Sequence, residues 1–94
     1  MFHMKLLICY DIPENRIRNK VAKYLESVGH RVQYSVFMVA GDESRMQEIQ
    51  HRLEHLTARS EAPTLLIAPL CQACTAKIWQ YGHFKDEPAL CVVA

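Results

Sequence analysis

Asp11 closes an apolar run, Leu6-Leu7-Ile8-Cys9-Tyr10, and is followed at once by Ile12-Pro13 and a helix-like pattern. A short apolar run bounded in this way reads as a buried strand. A carboxylate at its tip needs a reason, because an unpaired buried charge is expensive. Such an Asp is normally hydrogen-bonded, ion-paired or holding a metal. Arg18, Lys20 and Arg31 could neutralise phosphate charge and position a nucleic-acid strand. Gln33 and Ser35 could orient a water or bond a phosphate, and Tyr10 and Phe37 could stack on bases or simply pack. Ser35 does not read as a nucleophile, since no His and acid pair is indicated near it.

The hard ion that suits this set is Mg²⁺, with Mn²⁺ as a substitute. Mg²⁺ takes few protein carboxylates and keeps waters while it contacts substrate phosphates. One Asp per chain is too few for a well-held site. A symmetric dimer that brings two copies of Asp11 together could supply two carboxylates, orient a phosphate and lower the pKa of a bound water. Each residue also has a plainer reading. Asp11 could cap the first helix, Arg16 and Lys20 could be ordinary solvated helix surface, and Phe37 could be core or dimer packing.

Cys71-Gln72-Ala73-Cys74 has the spacing of half a zinc site. No second Cys-x-x-Cys follows, and His83 and Cys91 stand at no familiar spacing, so buried or idle thiols are the expectation. His51 and His55 are i, i+4 on a helix but lack the Glu of a zinc-protease motif, so they read as solvent-facing.

These residues are positioned by a simple succession of elements. Lys5–Tyr10 reads as the first strand. Pro13-Glu14-Asn15 opens a helix whose apolar stripe is Ile17, Val21, Leu25 and Val28, with Tyr24 beside it, and Gly29 ends it. Residues 31–39 alternate as one strand, with Val32, Tyr34, Val36 and Met38 on one face and Gln33, Ser35, Phe37 and Val39 on the other. Gly41-Asp42 breaks it. Ser44 and Gln47 have capping-box spacing for a second helix with the stripe Met46, Ile49, Leu53 and Leu56. Residues 58–63 read as a loop, 64–70 as a strand, 77–81 as a short strand and 89–93 as a further apolar segment. The order predicts a two-layer α/β sandwich with helices on one face of the sheet.

The chain has 94 residues, half of them hydrophobic, and a formal net charge of +1. That bounds it to one globular domain, residues 1–94, near the small end for a self-sufficient core, and favours oligomerisation. It excludes a uniformly basic nucleic-acid binder but not a local basic patch. Up to Ser35 there are six Lys/Arg against three Asp/Glu, and after it five against seven, so the basic excess lies in the half that holds Asp11. No targeting segment or membrane-length apolar stretch is visible, and the four cysteines form no disulfide framework, so the expected place is the reducing cytoplasm. Met4-Lys5 reads as a natural start, with Met1-Phe2-His3 a dispensable extension.

Tyr10-Asp11-Ile12, the basic residues Arg16, Arg18 and Lys20, and Gly29-His30-Arg31-Val32-Gln33-Tyr34-Ser35-Val36-Phe37 together resemble the CRISPR-associated protein 2 family. The likeness extends over the order of elements and the strand Leu65-Leu66-Ile67-Ala68-Pro69-Leu70. It implies a ferredoxin-like βαββαβ fold with an extra C-terminal strand and a homodimer in which the tail, residues 75–94, completes the partner's sheet. It also implies partnership with the CRISPR integrase in spacer acquisition. In some members it implies a metal-dependent nuclease on RNA or double-stranded DNA, with Asp11 as catalytic metal ligand. In others the role is a non-catalytic scaffold of the integration complex. Two positions depart from the family pattern. Ile17 stands where the first of two arginines is usual, and Met38 where many members carry an acid.

Overall fold

The computed structural model describes residues 4–79. Alternating burial along Met4–Asp11 (β1) is the starting point of the architecture. Leu6, Ile8 and Tyr10 are buried on one face, while Leu7, Cys9 and Asp11 take the other, as the period-2 geometry of a strand requires. Asn15–Val28 (α1), His30–Gln33 (β2), Val36–Gly41 (β3), Glu43–Leu56 (α2), Thr64–Leu70 (β4) and a short turn of helix, Gln72–Thr75 (α3), follow.

The four strands form one antiparallel sheet in the order β2-β3-β1-β4. With a helix crossing over between β1 and β2 and another between β3 and β4, this is the ferredoxin-like βαββαβ arrangement expected from the sequence. Both long helices lay their stripes on the same face of the sheet. Val21 and Leu25 of α1 and Ile49 and Leu53 of α2 meet Leu6, Ile8, Tyr10, Phe37 and Val39 in one core. Removing each such side chain from water contributes roughly 1.5–3 kcal/mol. Neither long helix covers the other face. It carries a second apolar group, Val32 and Met38, flanked by Leu7, Val36, Leu70 and Ile78.

Three local expectations are corrected. Residues 31–39 are not one strand: the chain reverses at Tyr34-Ser35, and β2 pairs back on β3 with a bulge between Arg31 and Gln33. The register joins His30 to Met38 and Arg31 to Phe37. Outside the bulge even residues therefore still share a face with even and odd with odd, Gln33 opposite Val36 being the exception, and the alternation of the flanking residues does not reveal the turn. Tyr34-Ser35 also lacks the Gly, Asn or Asp that usually announces a tight hairpin.

The second helix is capped not by Ser44 but by Asp42, whose carboxylate accepts from the Arg45 N–H at 2.9 Å. Ser44 already lies inside the first turn. The expected strand over 77–81 is not formed at Lys77, Ile78 or Trp79. The Thr75 and Ala76 amides donate back to the carbonyls of Cys71 and Gln72, at 2.9 and 3.1 Å, and coil the chain instead. Residues 80–81, the apolar segment 89–93 and most of the tail lie outside the described residues.

Candidate nucleic-acid interface

Asp11 sits at the end of β1, exposed, on the sheet face that the helices leave open. Among the described residues its carboxylate has no hydrogen bond or ion pair. It does not cap α1, because that position belongs to Glu14, whose carbonyl takes the Arg18 N–H at 2.9 Å. Glu14 uses its side chain elsewhere. It accepts from the Ser60 hydroxyl at 2.6 Å and the Glu61 N–H at 3.0 Å, tying the 58–63 loop to the start of α1. Those two donors, the Glu61 amide foremost, hold the Glu14 carboxyl below its ordinary range.

The surroundings of Asp11 are fixed from both sides. The Tyr10 N–H donates to the Ser35 carbonyl at 3.1 Å, which brings the hairpin turn against the tip of β1. On the other side Arg18 donates to the Ile12 carbonyl at 2.8 Å and bonds the Asn15 side chain. Arg18 is thus half-buried and engaged in shaping the β1–α1 connection, not standing free for a phosphate. Arg31 is likewise engaged. It pairs with Glu26 at 3.2 Å and lies over the Phe37 ring, 5.1 Å from its centroid. Lys20 and Arg16 are exposed on α1. Gln33 leads into the turn and Ser35 is part of it, both half-buried.

Tyr10 and Phe37 stack on each other with centroids 6.1 Å apart. Phe37 is fully buried and Tyr10 is 6 % exposed, so packing is the role this geometry supports for both rings. Burial pushes the Tyr10 phenol up. A ring that does face solvent beside this site is Tyr34, 81 % exposed at the hairpin tip. Sequence reading placed it inside a strand. Recognising the turn at residues 34–35 would have exposed it as a stacking candidate.

A single chain presents one carboxylate here, and among the described residues no three His, Cys, Asp or Glu side chains gather as a metal set. Asp11 nonetheless fits a hard cation. It is an oxygen donor, open to solvent, and has no other bond among the described residues to give up. Cys71 and Cys74 are exposed rather than buried, and His51 and His55 face solvent on α2. Among the described residues no helix is long and apolar enough to cross a membrane.

A ferredoxin-like domain with an acid-tipped first strand and an uncovered sheet face defines the class. The model of the family described as CRISPR associated protein Cas2 matches residues 4–78, and the chain belongs to that family. Among curated relatives, a CRISPR-associated endoribonuclease Cas2 of Synechocystis sp. is 45% identical over 64 residues, 68% of each chain. One from Methanospirillum hungatei JF-1 is 31% identical over 90 residues, covering 96% of this chain and 99% of its own. A crystal structure of a hypothetical protein from Thermus thermophilus superposes with a TM-score of 0.75 at 28% identity, covering 88% of this chain and 95% of that one.

Proposed function

We propose that this chain is a Mg²⁺-dependent endonuclease that hydrolyses phosphodiester bonds in single-stranded RNA, double-stranded DNA or both. It acts as a homodimer, alongside the CRISPR integrase in spacer acquisition. The observation that carries the reading is Asp11, an exposed carboxylate on the uncovered sheet face, unpartnered among the described residues. The curated relatives are named endoribonucleases, which supports the reaction class.

The dimer is supported by the apolar open face, where Val32, Met38, Leu7, Val36, Leu70 and Ile78 gather. Burying such a surface against a second copy is the usual way a small domain completes its core. Asp11 projects from the same face, so a face-to-face copy would bring a second Asp11 to the same side. The residues that would hold the ion are these two carboxylates. When bound, Mg²⁺ supplies a Lewis acid for a phosphate oxygen and lowers the pKa of a bound water. The protein's own work is to hold Asp11 in place at the tip of β1. Arg18 does this through the Ile12 carbonyl, and the Tyr10–Ser35 bond does it through the turn. Lys20 and Arg16 offer charge to the phosphate backbone.

A second reading, a non-catalytic dimeric scaffold holding spacer DNA by its backbone, is favoured by the single acid that each chain contributes to this site among the described residues. One experiment separates the two. Labelled single-stranded RNA and double-stranded DNA are incubated with wild type and Asp11→Ala, with Mg²⁺ and with EDTA. Metal-dependent cutting that disappears in the variant supports the nuclease. Equal cutting by both proteins, or none by rigorously purified wild type, removes it and leaves the scaffold. Light scattering checks the dimer, and a monomeric mass at micromolar concentration would count against both.

A further inference from the structure

The Cys71 and Cys74 sulfurs lie 3.3 Å apart, and both residues are exposed. The approach is built into the backbone. Cys71 precedes a single helical turn, and its carbonyl accepts from the Thr75 N–H at 2.9 Å and from the Thr75 hydroxyl at 3.0 Å. Thr75 is buried, which anchors that turn. The Cys74 N–H donates to the Cys71 sulfur at 3.4 Å. Among the described residues no third metal-ligating side chain stands with the pair, so nothing there completes the four ligands zinc requires.

We propose that Cys71 and Cys74 are a redox-active dithiol that closes to an intramolecular disulfide by exchange with a low-molecular-weight disulfide such as oxidised glutathione. The two thiols are not equivalent. The Cys74 N–H, and after it the Cys74 thiol, hold the Cys71 thiol below its ordinary range, and the same pairing pushes the Cys74 thiol up. Cys71 is therefore the attacking sulfur and Cys74 the resolving one.

The Cys71 thiol gives up its proton and attacks one sulfur of the small disulfide. A mixed disulfide forms and one thiolate leaves, taking up that proton. The Cys74 thiol then gives up its proton and attacks the Cys71 sulfur, and the second small thiolate leaves with it. The protein loses two electrons and two protons, and the small disulfide becomes two thiols. The ring closes within one turn, so the second step competes well with any bimolecular attack.

The pair also occupies a defined place. Cys71 directly follows β4, whose last residue Leu70 pairs with Lys5 of β1. The turn it caps delivers Ile78 to the apolar open face. Closing the ring would fix the point where the chain leaves the sheet.

The test uses the full chain, reduced and then exposed to oxidised glutathione. Trypsin leaves both sulfurs in one peptide, residues 60–77. The expected result is that this peptide loses the mass of two hydrogens and resists iodoacetamide, while dithiothreitol reverses both changes. Cys74→Ser is expected to trap glutathione on Cys71, whose sulfur keeps the residue-74 N–H as a donor in that variant, and Cys71→Ser to acquire it more slowly at Cys74. A stable glutathione adduct on the wild-type peptide overturns the proposal, as do equal adduct rates in the two variants. One zinc per chain, bound through these sulfurs in the protein as purified, overturns it as well.

Discussion

The Arg18 guanidinium donates to the carbonyl of Ile12 at 2.8 Å, one residue beyond Asp11. A cation that the sequence suggests for phosphate binding is thereby part of the frame that aims the acid. Arg18→Ala is expected to lower stability by about 1.5–3 kcal/mol, the range for a hydrogen bond involving a charged group. It should leave the salt dependence of nucleic-acid binding unchanged. A phosphate contact would instead reduce the slope of log K against log salt by about one. Lys20→Ala is the contrasting case: exposed, it should show the slope change without the loss of stability. Filter binding at several salt concentrations and urea unfolding decide both, and a slope change in Arg18→Ala would return that residue to the interface.

Tyr34 is the exposed ring at the hairpin tip, held near Asp11 by the Tyr10–Ser35 hydrogen bond. Tyr34→Ala should change stability by less than about 0.5 kcal/mol, as for an ordinary surface site. It should weaken single-stranded RNA binding by about 1–3 kcal/mol if the ring stacks on a base. Fluorescence anisotropy with a short labelled RNA measures this. An affinity equal to wild type would assign the ring to another surface.

Gly29 joins α1 to β2 where the backbone passes close to β3. A Cβ there would lie 2.4 Å from the Met38 carbonyl oxygen and 2.6 Å from the Val39 Cγ2. The constraint is steric contact with a core strand, since the backbone at Gly29 is extended (φ -157°). Gly29→Ala should cost about 1–3 kcal/mol, as overpacking does. Thermal unfolding would show it, and an unchanged Tm would mean that β3 moves aside freely.

The Glu14 carboxyl is held below its ordinary range, first by the Glu61 N–H and then by the Ser60 hydroxyl. A lowered folded-state pKa means the fold binds this proton less readily than the unfolded chain. Its stabilising effect is therefore complete above the ordinary carboxylate range and disappears as the pH falls through the lowered value. Glu14→Gln cannot titrate, so the gap in Tm between wild type and variant should narrow between neutrality and about pH 3. A gap independent of pH would show that the tether to the 58–63 loop does not depend on charge.

Much of this protein is legible in one dimension because its signals are local. Helical spacing of Val21 and Leu25, and of Ile49 and Leu53, marks the faces that enter the core. The apolar run ending in Asp11 marks both β1 and the residue at its tip. The hairpin is invisible because the pairs His30–Met38 and Arg31–Phe37 keep the parity of an unbroken strand, and the shift that pairs Gln33 with Val36 is confined to the bulge beside the turn. Side-chain partnerships are decided by distance in space. Arg18, Arg31, Tyr10 and Phe37 all have residue types suited to nucleic acid. Only the folded chain shows Arg18 on the Ile12 carbonyl, Arg31 against Glu26, and the two rings stacked in the core. Asp11, exposed and without a partner among the described residues, is legible in the sequence as the acid at the strand tip. That it shares the uncovered face with Leu7 and Cys9 follows from strand alternation, but which face the helices cover was decided by tertiary packing, because both helices bury their apolar stripes on the side of Leu6 and Ile8.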